Sequence, residues 1–224
     1  KYPVLTFASG PTNSMRGAAF LSGVQDGIVA DVGGTTTDVG VLIGGFPRES
    51  AISVDIGSVR TNFRMPDVLA VGLGGGSIVR QSDEETSVGP DSVALDLLTQ
   101  AKVFGGHTLT ATDIAVAAGY ADIGDKSLVA DLDPALVEAA VDQLHHILET
   151  TVDKVKSTKG DVPVVLVGGG SILINRDIKR AKLAEKFAAK RAAPFNAGDS
   201  HTQLRCADRC NIPAGTTSND DQII

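Results

Sequence analysis

Tryptophan is absent from this 224-residue sequence, and cysteine, methionine and tyrosine occur only twice each. Cys206 and Cys210 cannot build a disulfide framework, and a zinc site would need two further ligands, so reduced thiols are favoured over a disulfide or a metal site. No apolar run has the length of a membrane span, and the first ten residues lack the extended apolar segment of a signal peptide. These absences predict a cytoplasmic protein.

Basic residues are also scarce, since 20 Lys and Arg face 27 Asp and Glu, which gives a net charge of −7 and a pI near 5.0. Nucleic acids and anionic membranes are bound by clustered Lys and Arg, so neither is an expected partner. An acidic protein that binds a nucleotide must do so locally, through backbone amides and a metal ion. The length and the 42% hydrophobic content fit one large domain or two small lobes.

Glycine, in contrast, is abundant at 25 residues, and the most informative stretch runs from Gly27 to Ile43. It reads G-I-V-A-D-V-G-G-T-T-T-D-V-G-V-L-I. Two apolar segments, 28–32 and 39–43, flank a polar turn. Because Val and Ile favour strands and glycine permits a tight reversal, this pattern predicts a β-hairpin.

The turn of this hairpin predicts phosphate binding. Amides exposed at the Gly33-Gly34 pair, with the hydroxyls of Thr35 and Thr36, are donors that suit phosphate oxygens. Asp31 and Asp38 at the two ends suit a hard divalent cation and a water. The alternative is a plain polar turn. Ordinary hairpin turns use two residues and have no need of three threonines between two aspartates, so phosphate binding is preferred.

Two further glycine clusters follow apolar strands. The first, Gly74-Gly75-Gly76-Ser77, follows V-L-A-V and indicates a close backbone approach, either to a ligand or to another strand. The second, Gly168-Gly169-Gly170-Ser171, follows V-P-V-V-L-V and precedes a predicted helix over 175–190. This strand–glycine–helix order is how α/β proteins present a backbone edge to a nucleotide. Because its strand is apolar on both faces, we expect that strand in a central, covered position of the sheet.

Three polar residues between these motifs are candidates with open alternatives. Arg60 and Arg64 lie four residues apart, and their guanidinium groups suit an anionic substrate or a phosphate, or equally pair with surface carboxylates. His107 lies among glycines and threonines, and a solvated role is preferred for it.

The remaining pattern predicts several helices and one more strand. A turn and short helix, capped by Asn13 or Ser14 and closed by Gly23, precede the hairpin, with Phe20 on the apolar side. The longest helix begins at Pro134 and ends near residue 157, with apolar residues spaced by three and four. Further predictions are a strand over 47–55, a solvated loop over 81–88, a helix with Pro90 and Asp91 near its start, and a helix capped by Thr110 or Thr112 that ends at Gly119.

Several segments resemble a known family. D-V-G-G-T-T-T-D and V-V-L-V-G-G-G-S resemble the second phosphate motif and the adenosine motif of the actin-like ATPase superfamily. F-A-S-G-P-T-N-S-M-R-G-A-A-F-L-S-G, V-R-T-N-F-R-M-P-D, G-L-G-G-G-S, V-G-P-D-S and T-L-T-A-T-D-I-A are similar, in that order, to the hydantoinase A and 5-oxoprolinase family. The resemblance covers about residues 2–174. It implies an α/β, ribonuclease H-like lobe with a mixed sheet, a β-meander and flanking helices.

The resemblance also implies ATP- and Mg²⁺-dependent opening of a cyclic amide such as 5-oxoproline or a hydantoin. ATP would phosphorylate the amide oxygen and make the ring carbonyl open to water, with catalysis mainly by positioning and charge neutralisation. The implied roles are Mg²⁺ or its water at Asp31, the β- and γ-phosphates at Gly33, Gly34, Thr35 and Thr36, the attacking group or metal shell at Asp38, and adenosine at Gly168, Gly169 and Gly170. Arg60, Arg64, Gly75 and Ser77 are the candidate substrate contacts.

Members of this family begin with a half that carries a first D-x-G-G-T phosphate motif, whereas here the only such motif is the one at Asp31. We therefore expect residues 1–190 to form one lobe of an incomplete subunit. The expected partners are the missing N-terminal lobe and a hydantoinase B-type subunit or domain. Residues 191–224 show no sustained period, which predicts an irregular and partly disordered tail. The alternatives are a small-molecule kinase of the same superfamily and a non-catalytic nucleotide-binding lobe.

Overall fold

A computed structural model describes residues 9–50, 54–56, 59–61, 65–82, 85–157 and 162–174. The helices are α1 Ser9–Ser22, α2 Leu97–Gln100, α3 Ala111–Ala117 and α4 Pro134–Val155. The strands are β1 Gly27–Val32, β2 Thr37–Ile43, β3 Phe46–Pro47, β4 Val54–Ile56, β5 Val59–Thr61, β6 Val68–Val71, β7 Ser77–Gln81, β8 Thr86–Ser92 and β9 Val164–Val167. Short 3₁₀ helices cover Ala94–Asp96, Lys102–Phe104, Lys126–Val129 and Gly169–Leu173.

The main sheet is mixed and has five strands. Its order is β3-β2-β1-β9, and β6 also pairs with β2. Strand β1 runs antiparallel to β2 and parallel to β9, so the predicted hairpin and mixed sheet are confirmed. Strands β4 and β5 form one separate pair, and β7 and β8 form another.

Strand β1 shows how both faces of this sheet are covered. Successive side chains of a strand point to opposite faces. Ile28, Ala30 and Val32 pack in the cluster that includes the buried residues of α3 and α4. Val29 packs on the other face with Met15 and its neighbours on α1. The sheet therefore lies between α1 on one side and α3 and α4 on the other.

Helix α1 confirms the predicted helix before the hairpin, although its start was placed wrongly. It begins at Ser9, so Asn13 and Ser14 lie inside the helix rather than at its cap. The Ser14 hydroxyl is directed instead to a carboxylate of β1. Gly23 closes the helix in the left-handed region, with φ +71°. Phe20 is 79% exposed, because α1 buries a narrower stripe than the sequence indicated.

The predicted strand over 47–55 is wrong in its extent. Within the described residues, the strand paired with the end of β2 covers Phe46–Pro47 and is followed by one hydrogen bond from the Arg48 N–H to the Val41 carbonyl at 2.7 Å, which confirms the β-meander. The first half of β2 pairs with β6 instead. Val54–Ile56 pairs with β5 in a separate sheet.

The segment around Pro90 forms a hairpin where the sequence predicted a loop and a helix. Strand β7 ends at Gln81 and β8 runs from Thr86 to Ser92, so both ends of the predicted loop, Gln81 and residues 86–88, are strand. Pro90 lies within β8, and the next α-helix begins only at Leu97. Pro90 packs against the chain after β6, since a Cβ added to Gly72 would lie 2.9 Å from the Cβ of Pro90. Pro90, which the sequence predicts near the start of a helix, instead makes a tertiary contact with Gly72.

Helices α3 and α4 confirm the predictions made for them. Thr110, and not Thr112, caps α3 in a capping box with Asp113. Helix α4 begins at Pro134 after the cap residue Asp133, and its apolar stripe is largely buried against the sheet. Of the helices in the described ranges, none combines the length and the apolar composition needed to cross a membrane.

Strand β9 is covered on both faces but does not lie in the centre of the sheet. Val164 and Val165 are buried in the two opposite clusters, as the apolar sequence predicted. In the described part of the chain, however, β9 pairs with β1 alone and stands at the end of the strand order. The predicted helix over 175–190, the tail over 191–224 and both cysteines lie outside the described residues.

Candidate functional site

Two carboxylates face each other at the end of the β1–β2 hairpin. Asp31 and Asp38 are direct partners in the antiparallel register, so their side chains lie on the same face. Ala30 and Val32, the neighbours of Asp31 in β1, face the cluster formed with α3 and α4. The side chain of Asp31 therefore lies on the other face, which α1 covers. The Ser14 hydroxyl of α1 donates a hydrogen bond to Oδ2 of Asp31. Helix α1 thus orients one carboxylate of the pair.

The ionised form of the second carboxylate, Asp38, is disfavoured by its surroundings. Partial burial, and then the negative charge of Asp31, raise the pKa of Asp38 above its usual range. Desolvation and a like charge both disfavour the ionised form. A divalent cation beside the pair would reverse the second effect, so the electrostatics of the site suit a bound metal.

The turn between the two strands, residues Gly33–Thr36, presents unpaired donors; we call it the Gly-Thr turn. It is closed by a hydrogen bond from the Gly33 N–H to the Thr36 carbonyl at 2.8 Å. Gly34, Thr35 and Thr36 are exposed. Within the described ranges, no residue accepts a hydrogen bond from the N–H of any of these three. Three amides and two hydroxyls are therefore available to an anion, and a phosphate group fits this donor set.

Residues Gly74–Ser77, here called the support loop, lie directly against the Gly-Thr turn. The N–H of Gly75 donates to the Gly33 carbonyl at 3.0 Å, and that of Gly76 donates to the Gly34 carbonyl at 2.7 Å. A Cβ added to Gly74 would lie 2.5 Å from the backbone nitrogen of Thr35. The close approach predicted for these glycines is therefore to the backbone of the hairpin.

The third glycine cluster meets the Gly-Thr turn from the opposite side. Because β1 and β9 are parallel neighbours, their C-terminal ends reach the same edge of the sheet. Gly168 has φ +84°, and a Cβ there would overlap Oδ1 of Asp31 and the Val32 carbonyl. A Cβ on Gly170 would lie 2.6 Å from the Gly33 carbonyl oxygen. A Cβ on Gly169 would meet nothing within 4 Å. Three clusters far apart in sequence thus form one site.

The predicted substrate contacts are placed less favourably. Ser77 is fully buried, and its hydroxyl accepts a hydrogen bond from the Gly74 N–H at 2.9 Å. Gly75 is also buried inside the support loop. Arg60 belongs to β5, whose side chains are not described, and Arg64 lies outside the described residues. His107 is exposed on the surface. A substrate role for the two arginines, Gly75 and Ser77 stays a prediction.

Sequence reasoning missed three residues that shape the site. The sequence predicts Ser14 only as a helix cap and Thr112 only as an alternative cap, and it does not distinguish Thr37 from its neighbours. The Thr37 hydroxyl donates to the Leu73 carbonyl at 2.7 Å, and the Thr112 hydroxyl donates to the Gly75 carbonyl at 2.9 Å. Thr112 therefore holds the support loop itself, and Thr37 holds the residue that precedes it. The only feature of the sequence that could have identified these three residues is that each lies in a segment that resembles the family.

In the part of the chain that the structure describes, protein side chains alone do not form a metal site. The described ranges contain no group of three or more His, Cys, Asp or Glu residues placed to bind one. Mg²⁺ commonly keeps several waters and takes one or two carboxylates together with substrate phosphates. The pair of aspartates beside a phosphate-binding turn fits that mode.

Comparison with known proteins places these residues in a family. Residues 1–162 match the sequence model of the hydantoinase/oxoprolinase family. A further match is the acetophenone carboxylase gamma subunit of Aromatoleum aromaticum, 32% identical over 120 residues, which are 51% of this chain and 16% of that protein.

Two solved structures share the fold. A nucleotide-free acetone carboxylase, described in work on ATP-dependent acetone carboxylation, superimposes with a TM-score of 0.61 at 22% identity, over 80% of this chain and 29% of that one. The ATP-dependent caprolactamase of Pseudomonas jessenii gives a TM-score of 0.61 at 21% identity, over 79% and 29%. The predicted fold, an α/β lobe with a mixed sheet, is confirmed. The chain spans less than a third of the length of each of these relatives.

Proposed function

This chain belongs to the hydantoinase/oxoprolinase family, and we propose that it is the nucleotide-binding lobe of an ATP-dependent enzyme that opens a cyclic amide of the 5-oxoproline or hydantoin type. The ATP-dependent caprolactamase that shares its fold supports this substrate class, since caprolactam is a cyclic amide. The observation that carries the proposal is the Gly-Thr turn, whose unpaired amides and hydroxyls lie between two facing aspartates.

The Gly-Thr turn binds the β- and γ-phosphates in this proposal. Its amides and the hydroxyls of Thr35 and Thr36 donate to phosphate oxygens, and their positions are fixed before the nucleotide arrives. Gly33 and Gly34 keep the backbone accessible at the point of closest approach. Gly168, Gly169 and Gly170 form the surface on which adenosine packs in this proposal, and the open position among them is Gly169, where a Cβ would meet nothing within 4 Å.

Asp31 and Asp38 share the remaining work. Asp31, held by Ser14, would hold Mg²⁺ or one of its waters, and Asp38 would orient the attacking group or the metal shell. With ATP bound, the terminal phosphoryl group passes to the amide oxygen and ADP is formed. One water adds to the ring carbon and the ring nitrogen leaves with a proton, which opens the ring to an acyl phosphate. A second water then releases inorganic phosphate and gives the carboxylate. The protein residues supply position and charge for these steps rather than covalent chemistry.

A second candidate, ATP-dependent carboxylation, is favoured by two of the matches. The acetophenone carboxylase gamma subunit is 32% identical over the matched segment, and the acetone carboxylase shares the fold. The two reactions differ in the acceptor that ATP activates, and the glycine motifs do not select it. An assay that follows ADP release with 5-oxoproline, a hydantoin, or a ketone plus bicarbonate separates them.

The proposed active unit is larger than this chain. The match to a gamma subunit supports an assembly with other subunits. We expect a first lobe with its own phosphate motif to close over the Gly-Thr turn, and a hydantoinase B-type subunit or domain to complete the enzyme. A cytoplasmic location is proposed for this assembly.

Calorimetric titration with Mg-ATP tests the proposal directly. It is carried out on this chain and on the complete gene product that contains it, each as wild type, as Asp31→Ala and as Asp131→Ala. Asp131 is an exposed aspartate just before α4, so its removal matches the change of charge without touching the hairpin. We expect Asp31→Ala to weaken Mg-ATP binding by about tenfold or more, as the loss of a charge-assisted contact implies.

Two results contradict the proposal. One is a complete gene product that binds no Mg-ATP. The other is an Asp31→Ala protein whose affinity equals that of Asp131→Ala, because the nucleotide would then lie away from the hairpin.

A further inference from the structure

We propose that Thr112 is a positioning residue for the Gly-Thr turn, acting through Gly75; the proposal rests on the nucleotide site described above. Thr112 lies in the first turn of α3, in the segment T-L-T-A-T-D-I-A that no step of the proposed function uses. The residue is 3% exposed. Its hydroxyl is bonded to the backbone of the support loop, so its influence on the Gly-Thr turn passes through that backbone.

The connection is a short series of hydrogen bonds. Both the N–H and the hydroxyl of Thr112 donate to the Gly75 carbonyl, each at 2.9 Å. The Gly75 N–H in turn donates to the Gly33 carbonyl at 3.0 Å. Gly75 is thus held by Thr112 on one side and holds the start of the Gly-Thr turn on the other.

The start of α3 is itself rigidly fixed. Asp113 is completely buried, and its carboxylate accepts hydrogen bonds from the N–H groups of Val103 and Thr110 at 2.8 and 2.7 Å, and from the Thr110 hydroxyl at 2.9 Å. A weaker bond from the Lys102 N–H measures 3.3 Å. Because one buried carboxylate joins the helix cap to the preceding 3₁₀ helix, Thr112 presents its hydroxyl from a fixed point.

A rigid support is important here because few hydrogen bonds within the Gly-Thr turn fix its conformation. Apart from the closing bond of Gly33, its amides are unpaired in the described residues. Preorganised donors bind phosphate better than donors that must first be ordered. Loss of the Thr112 hydroxyl should therefore be felt as weaker nucleotide binding, and not only as lower stability.

The test compares three variants of the complete gene product. Thr112→Val removes the hydroxyl and keeps the side-chain shape, and Thr112→Ser restores the hydroxyl. Thr151→Val is the matched control, because Thr151 is 2% exposed on α4 and its hydroxyl donates to the Ile147 carbonyl at 2.7 Å, within its own helix. We expect the two valine variants to lose similar stability in urea unfolding, since each loses one buried hydroxyl bond.

Mg-ATP affinity should separate them. Thr112→Val is expected to raise the Kd for Mg-ATP about three- to tenfold, the factor that one weakened hydrogen bond gives, whereas Thr112→Ser and Thr151→Val stay near the wild type. Equal Kd values for Thr112→Val and Thr151→Val would overturn the proposal.

Amide hydrogen exchange without nucleotide gives an independent reading. Thr112→Val should speed exchange at Gly33, Gly75 and Gly76, whose N–H groups form the hydrogen bonds within the Gly-Thr turn and from the support loop to it, and Thr151→Val should not. If the wild type binds no Mg-ATP, the proposed function fails, yet this measurement still decides whether Thr112 fixes the turn. Unchanged exchange at these three amides would overturn the positioning role whatever the nucleotide result.

A double-mutant cycle checks that the effect passes through Gly75. A Cβ on Gly75 would lie 2.9 Å from Oγ1 of Thr112, and no positive φ adds strain there. Gly75→Ala should therefore weaken Mg-ATP binding in the wild type and weaken it less in a Thr112→Ala background, where the oxygen is absent. Strictly additive changes would show that the two residues act separately.

Discussion

In the proposed function, Asp38 is a residue whose role in ligand binding opposes the stability of the free protein. Its carboxylate faces Asp31 across two strands, and burial and that charge raise its pKa. We predict that Asp38→Asn stabilises the free protein at pH 7 by about 0.2–1 kcal/mol, the range for a like-charged cross-strand pair. Urea unfolding measures the change, and Mg-ATP binding should be weakened in the same protein.

The pH dependence of this difference follows from the direction of the shift. A raised pKa means that the folded protein binds the proton of Asp38 more tightly than the unfolded chain does, so the contribution of Asp38 to stability falls as the pH rises through the raised pKa. The advantage of Asp38→Asn should therefore be full at pH 7 and shrink as the pH approaches the ordinary aspartate value. A gap that widens on acidification would contradict the assignment.

Gly168 and Gly169 are neighbours with different constraints. Gly168→Ala should destabilise the protein by about 1–3 kcal/mol, because it needs a positive φ and its Cβ would overlap Asp31 and Val32. Gly169→Ala should leave stability unchanged, since a Cβ there meets nothing within 4 Å. If adenosine packs on this turn, Gly169→Ala should nevertheless weaken Mg-ATP binding. Thermal unfolding and calorimetry of the two variants provide both readings.

At the scale of elements, two aspartates at helix starts differ in burial. Asp133 caps α4 from an exposed position, so Asp133→Ala should cost about 0.5–1 kcal/mol. Asp113 serves α3 from full burial, and Asp113→Ala leaves several donors without a partner, which should cost about 2–4 kcal/mol. Urea midpoints of both variants test the ranking, and equal losses would mean that the buried carboxylate is replaced by water.

Elements with a strong local period were predictable from the sequence. The hairpin around Gly33 and the apolar stripe of α4 are written in consecutive residues, and both are confirmed. The β7–β8 hairpin was not, because Gly89 and Pro90 hide its alternation and Pro90 is explained only by Gly72 in space. Strand β3 is short because β6 competes for β2, a pairing that no local pattern records.

The candidate site was predictable in its parts and not in its assembly. The residue types at Asp31–Asp38 indicate phosphate and metal chemistry without a structure. That Gly74–Gly76 and Gly168–Gly170 lie on either side of the same turn depends on the parallel pairing of β1 with β9 and on the path after β6. The role of Thr112 depends on the same tertiary contacts. The composition of the sequence does not indicate that these three segments meet at one turn.

At the scale of the whole molecule, the sheet positions the site at one edge. Helix α1 covers one face and orients Asp31 through Ser14, while α3 covers the other and reaches the Gly-Thr turn through Gly75. The two helical layers thus fix opposite sides of one short turn. A ligand that bridges the carboxylates and the turn should therefore stabilise both layers together.

Ligand-linked stability of the complete gene product tests that expectation. A ligand that binds only the folded state adds about 2.7 kcal/mol at a hundred times its Kd, so saturating Mg-ATP should raise the thermal midpoint. ATP with EDTA should raise it much less, because without the cation the phosphates meet two unneutralised carboxylates. In Asp31→Asn the difference between the two conditions should shrink, whereas in Asp131→Asn it should persist. An equal shift with and without Mg²⁺ in the wild type would show that the nucleotide binds without using the aspartate pair.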